Sequence, residues 1–177
     1  MRFITRRSLV RVAVVCAVGI GVLAWANWPA ESIAAGTVAD RVVVWKSKRQ
    51  LELYANGRLL KRYAVSLGRN PVGPKLQEGD KRTPEGLYAV ELHNPHSSFH
   101  LALKVSYPSP ADRTAAAKRG FAPGSDIMIH GMTNGLGLIG RFHRRVDWTA
   151  GCIAVTNSEI EEIYRAVPDG TPIEIHP

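Results

Sequence analysis

Asn56-Gly57 stands between two runs of alternating apolar and polar residues, and that pattern commits the chain to a β-hairpin. A two-residue type I′ turn needs φ > 0 at both central positions, which Asn and Gly adopt at least cost. Ahead of it, Gln50 to Ala55 alternates Leu51 and Leu53 with polar neighbours; beyond it, the return strand is predicted over about Arg58 to Ser66. Further strand signals fall at Val42-Val43-Val44-Trp45, Gly86 to Leu92, Phe99 to Tyr107, Ile127-Met128-Ile129, Ile153-Ala154-Val155 and Pro172 to Ile175. Leu67 to Pro84, rich in Gly, Pro and charge, reads as a long irregular loop, and Leu136 to Arg145 as a Gly-broken loop with three Arg. Ser109-Pro110-Ala111-Asp112 starts a short helix that Gly120 ends. Thr156-Asn157-Ser158-Glu159 is a capping box, and Ile160, Ile163, Tyr164 and Val167 follow it at helical spacing. About seven strands joined mostly by turns, with two short helices, predict a mostly β domain. Its form should be a β-sandwich or small mixed barrel with antiparallel pairing dominant and helices at the edge.

The first 35 residues follow a different logic. Arg2, Arg6, Arg7 and Arg11 form a basic head, and Val12 to Trp25 gives fourteen uncharged residues. Ala24-Trp25-Ala26 is a small-x-small site, with Ile33-Ala34-Ala35 as a weaker second one. Basic head, apolar middle and small-residue end are the parts of an export signal. The run falls short of the ~20 residues that span a bilayer, although counting on to Ala30 gives nineteen. Residues 1–35 are therefore read as an export signal or an uncleaved membrane anchor whose basic flank would stay cytoplasmic. Thr5-Arg6-Arg7-Ser8-Leu9 also resembles a twin-arginine signal. Val14-Val15 is too bulky for a lipobox before Cys16. Residues 36–40 read as a linker and 41–177 as the folded domain. Location is expected in the periplasm or cell envelope, with membrane contact only through residues 12–30 and the domain a monomer.

Beyond residue 35 the chain keeps 19 basic and 14 acidic side chains, a net +5 that suits an anionic wall or membrane surface. Apolar residues at 45% and charged residues at 21% exclude a disordered chain. No basic stripe interleaved with aromatics argues for nucleic acid.

Without the leader, Cys152 is a lone thiol, unable to form an internal disulfide. Asp147-Trp148-Thr149-Ala150-Gly151-Cys152 leads through small residues into an apolar strand. A nucleophile there leaves room for a carbonyl, and the N–H groups of Gly151 and Cys152 could face an oxyanion. The thiolate is the reactive form, and an ordinary thiol needs a base or cation nearby. His130, at the end of an apolar strand and followed by Gly131, is the candidate base; a buried inert Cys and a core His are the plain alternatives. His143 is the rival base, and Asp147 could orient either ring or close a turn. Trp148 could pack beneath the Cys loop.

His130-Gly131, a Gly-rich loop and Thr149-Ala150-Gly151-Cys152-Ile153 together resemble the L,D-transpeptidase (YkuD-type) catalytic domain. Gly79-Asp80-Lys81-Arg82-Thr83-Pro84-Glu85-Gly86 and Pro168-Asp169-Gly170-Thr171-Pro172-Ile173 are similar to other parts of that family, so the resemblance runs from about residue 41 to 176. It implies that Cys152 attacks a stem-peptide carbonyl between diaminopimelate and D-alanine, releasing D-alanine and forming a thioester that an amine resolves. His130 would serve as general base and acid, oriented by the Gly131 carbonyl, and no metal or cofactor is implied. Donor and acceptor would both be peptidoglycan stem peptides. Two departures stand out: Ala150 where many members have His, and Ala154 where many have a carboxylate-binding Arg. Arg141, Arg144 and Arg145 could replace the latter, since a guanidinium fork matches a carboxylate. These three, with Trp148 and Thr149, are the candidate substrate-binding residues. The alternatives are a hydrolase (amidase or L,D-carboxypeptidase) on the same site, a non-catalytic wall-binding module, and a thiol redox protein that lacks a resolving Cys. His93, His96 and His100 could be weighed as metal ligands, but Asn94-Pro95 breaks their spacing.

Overall fold

The structure, a computed structural model, describes residues 6–28 and 31–177. Arg2 and Thr5, the side chains of Arg6, Arg7, Ser8 and Leu9, and Pro29 and Ala30 lie outside what is described. Eight strands form one mixed sheet: β1 (Arg41–Trp45), β2 (Gln50–Ala55), β3 (Arg58–Ala64), β4 (Gly86–Asn94), β5 (Ala102–Val105), β6 (Ile127–His130), β7 (Ile153–Ala154) and β8 (Pro172–His176). Their order is β3-β2-β1-β8-β4-β5-β6-β7. Pairing is antiparallel except for β1 with β8 and β6 with β7. The chain just past β3 bridges to β7 through Ser66 with Ala154, and to the residues before β7 through Gly68 with Thr149. The two ends of the strand order therefore meet, and the sheet curls into a small mixed barrel rather than stacking as two leaves.

The predicted hairpin is in place: Asn56 has φ 50° and Gly57 φ 75°, joining β2 to β3. Leu51, Leu53, Val42, Val44, Ile173, Leu103, Ile129 and Ile153 all point into one core and are fully buried. Helix α2 (Pro110–Lys118) starts on Ser109, whose Oγ accepts from Asp112 N at 3.2 Å. Helix α3 (Asn157–Ala166) starts on Thr156, whose N–H donates to Glu159 Oε2 at 3.0 Å, and it lays Ile160 and Ile163 on the core.

Two sequence expectations change. Leu136 to Arg145 is not a loop: Gly137–Arg145 forms a 3₁₀ segment, kinked at Gly140 (φ 51°, ψ −136°). The glycine that hides the helical pattern is required there, because a Cβ would lie 2.5 Å from Ala26 O. The N-terminal segment also does not stand apart. It forms α1 (Arg6–Ala26), whose end sits on the 3₁₀ segment: Asn27 Nδ2 donates to Leu138 O at 3.0 Å and Trp25 lies 6.1 Å from the Phe142 ring. Within the expected linker, Ala39 is buried and its N–H donates to Ala166 O at 2.7 Å. Among the described residues, no helix is long and apolar enough to cross a membrane.

Candidate active site

Parallel pairing sets Ile129 opposite Ile153 and His130 opposite Ala154. Side chains alternate along a strand, so Ile129 and Ile153 take the core face. His130 and Ala154 take the other face. Cys152, two residues before Ala154, shares it. The 22-residue sequence separation of His130 and Cys152 is thus bridged by the pairing of β6 with β7. Carried one residue back, the same register sets Met128 beside Cys152.

His130 is 3% exposed, and its Nδ1 lies 2.7 Å from Gly131 O. A carbonyl can only accept, so Nδ1 carries the proton and Nε2 keeps its lone pair. The Phe99 ring lies 4.4 Å from the imidazole and the Trp148 edge 5.7 Å, so the ring is walled on two sides. Burial pushes the imidazole below its ordinary value, against the pull of the Gly131 carbonyl. Burial also pushes the Cys152 thiol up, offset in part by the Met128 backbone and the Lys75 ammonium. Both shifts favour neutral forms. The half-buried Cys152 is a free thiol.

The loop before Cys152 is braced from within. Thr149 Oγ1 donates to Cys152 O at 2.7 Å and accepts from Gly151 N at 3.1 Å. This corrects two expectations. Thr149 is buried and binds its own loop rather than a substrate, and the Gly151 N–H is already taken rather than aimed at an oxyanion. Asp147 orients neither histidine: it accepts from Leu67 N at 2.9 Å and pairs with Arg49 at 2.9 Å. Trp148 packs beside His130, donates Nε1 to His143 and is only half-buried.

The three arginines part company. Arg144 Nη2 lies 2.5 Å from both oxygens of Glu159, so its charge is matched within the fold. Arg141 donates to Trp28 O at 2.7 Å, and exposed Arg145 lies 5.0 Å over the Phe142 ring. Ala154 is fully buried and exchanges both backbone bonds with Ser66, at 2.8 and 2.9 Å. A larger side chain there would have to displace the atoms that enclose Ala154.

Residues that sequence reasoning missed hold the loop before β4 in place, among them Lys46, just after β1. Lys46 is 1% exposed and donates to Gly73 O, Thr83 O and Glu85 Oε1, at 2.6, 2.9 and 2.7 Å. Asp80 accepts from Lys75 Nζ and from the N–H groups of Leu76, Gln77 and Arg82. These bonds press Lys81 and Arg82 against the Cys loop, where a Cβ on Gly151 would lie 2.7 Å from Arg82 O. The charged letters of that stretch gave the only signal.

The histidines weighed as metal ligands disperse. His93 Nδ1 lies 2.6 Å from Asp169 Oδ1, and His100 Nε2 lies 2.7 Å from Glu161 Oε1. Among the described residues, no cluster of His, Cys, Asp or Glu is placed to hold a metal. His143 is 5% exposed, and its Nδ1 lies 3.1 Å from Ser66 Oγ. Burial, then Arg144, pushes it down to about 4. A histidine held neutral in the fold stabilises it above the ordinary imidazole pKa, near 6.5, and loses that contribution as pH falls toward 4. The shift corresponds to about 3 kcal/mol. Denaturant unfolding at pH 7 and pH 4 should show this loss in the native chain and a clearly smaller one in His143→Gln.

Taken together, a curled mixed sheet sets a strand-end imidazole on β6 next to β7, the strand that a half-buried thiol immediately precedes. The chain belongs to the YkuD family, the L,D-transpeptidase catalytic domain, whose model matches residues 39–175. YafK of Escherichia coli (strain K12) is 30% identical over 132 residues, 71% of this chain and 46% of YafK. The chain thus spans about half the length of the curated relatives it matches. Among solved structures, the helical cell shape determining protein Pgp2 of Campylobacter jejuni matches with a TM-score of 0.59 and 23% identity, over 87% of this chain and 53% of Pgp2. Bd1075 of Bdellovibrio bacteriovorus matches with a TM-score of 0.55 and 25% identity, over 85% of this chain and 52% of Bd1075. An L,D-transpeptidase of Mycobacterium smegmatis, at 15% identity and a TM-score of 0.51, shares the fold.

Proposed function

We propose that this chain is an exported cysteine acyltransferase that acts on peptidoglycan stem peptides and remodels wall cross-links. The observation that carries the reading is the His130 Nδ1 bond to Gly131 O, which leaves Nε2 as a base on the face that Cys152 shares. Thiol and imidazole rest neutral, so proton transfer accompanies attack on the donor carbonyl instead of preceding it. Cys152 displaces D-alanine and forms a thioester; His130 returns the proton to the leaving amine. An incoming amine, deprotonated by the same ring, then releases the acyl group. With the Gly151 N–H bound to Thr149, the N–H of Cys152 is the nearest remaining oxyanion donor. Residues 1–35 act as the export signal or anchor, and the periplasm or cell envelope is the working compartment. The cell-shape role named for Pgp2 fits wall remodelling.

A hydrolytic reading rests on Arg144. Its fork is closed by Glu159, and Ala154 has no room for a replacement, so an acceptor carboxylate finds fewer partners and water is favoured as the resolving nucleophile. Incubation of the purified full chain with tetrapeptide muropeptides, followed by mass spectrometry, separates the two. Transpeptidation yields D-alanine and cross-linked dimers; hydrolysis yields tripeptides or cleaved cross-links only. Intact muropeptides after incubation would overturn both readings.

A further inference from the structure

The peptide between Gly131 and Met132 is gripped at both ends. Its carbonyl accepts from His130 Nδ1 at 2.7 Å, and its N–H donates to Asn157 Oδ1 at 2.9 Å. The amide of Asn157 must present its oxygen there, because a backbone N–H only donates. Asn157 opens α3, where the Thr156–Glu159 capping box fixes its backbone. Two glycines let the side chain reach in. A Cβ on Gly131 would lie 2.9 Å from Asn157 Oδ1, and one on Gly137 would lie 2.7 Å from Asn157 Nδ2.

We infer that Asn157 is a positioning residue for His130, acting through the Gly131–Met132 peptide; the inference rests on the base role proposed for His130. Accepting the Met132 N–H polarises that peptide and strengthens its carbonyl as an acceptor. It also stops the peptide plane from rotating its oxygen away from Nδ1. The imidazole proton is thereby kept on Nδ1, and Nε2 stays free to take the thiol proton. Without the Asn157 oxygen, the Met132 N–H loses its partner, the plane is released, and the tautomer that protonates Nε2 becomes populated. That tautomer cannot act as a base.

The test uses the full chain in wild-type, Asn157→Ala, Asn157→Asp and His130→Gln forms. One readout is the His130 tautomer from ¹⁵N chemical shifts, assigned by the signal lost in His130→Gln. The other is the pH profile of iodoacetamide alkylation, followed at Cys152 by peptide mass. Asn157→Ala should move the ring toward the Nε2–H tautomer and slow alkylation near neutral pH by about fivefold, the effect of one lost hydrogen bond. Asn157→Asp keeps an acceptor oxygen and should keep the Nδ1–H tautomer. If Asn157→Ala lowers the melting temperature alone, or changes nothing, while His130→Gln slows alkylation, the positioning role is overturned and the base role stands. If His130→Gln alkylates like the wild type, the base role falls and the inference falls with it.

Discussion

Cys152→Ala should abolish D-alanine release from tetrapeptide donors, by about 10⁴-fold or more, while leaving the fold intact. The size of the effect follows from covalent catalysis. No other side chain on this face replaces the thiol, and removing the nucleophile of a unit that works in concert forfeits nearly all the rate that the unit supplies. Preservation of the fold follows from the site's construction. Cys152 is only half-buried, and the bonds that brace its loop use Thr149 Oγ1, Gly151 N and the Cys152 carbonyl, none of which the substitution removes. Assay by mass spectrometry alongside thermal melting checks both halves. Melting matched to the wild type with activity lost is the expected pair.

Gly151→Ala should give a large loss of stability from a single methyl group. Gly151 has φ +140°, a region that side chains rarely adopt, and its Cβ would lie 2.7 Å from Arg82 O and 3.0 Å from Ile127 Cδ1. Retreat is blocked on the remaining side, where Gly68 packs with its own Cβ position 3.1 Å from Gly151 Cα and 2.2 Å from Lys81 O. Backbone strain of roughly 1–3 kcal/mol and overpacking of roughly 1–3 kcal/mol give a total of about 2–6 kcal/mol. For a domain of this size, that lowers the melting temperature by about 10 °C. Calorimetry reads it directly. Activity should fall as well, because the loop can accommodate the methyl only by moving Cys152 or Arg82.

Much of this was legible locally. Asn56-Gly57 announced its hairpin because the turn needs left-handed backbone at two adjacent positions, and few other pairs supply it. Thr156 and Glu159 announced α3, because the bonds that start a helix span three residues. His130 and Cys152 stood out as candidates through their neighbours, Gly131 and Gly151, and through the resemblance of the whole pattern. What stayed hidden depends on partners far apart in the chain. Asp147 is tied to Leu67 and Arg49, and Arg144 to Glu159 in α3. Each carried an unspent charge in the sequence and was open to a catalytic or substrate role; each is neutralised by a residue that only the curled sheet brings near. Thr149 misled for a different reason. Its hydroxyl is chemically fit for a substrate, but reaching forward two and three residues in its own loop, it spends its one donor and accepts one N–H there. The 3₁₀ segment was unreadable because Gly140 interrupts the pattern at the point where the end of α1 presses closest.

The central claim is that the Cys152 sulfur, served by the His130 Nε2, takes up the acyl group of a stem peptide. Intact-protein mass spectrometry after rapid acid quench of the full chain with a tetrapeptide donor tests it most directly. The account predicts a mass gain equal to the donor less D-alanine, mapped to Cys152, slower to form in His130→Gln and absent in Cys152→Ala. D-alanine release with no adduct, or an adduct mapped to another residue, would contradict it.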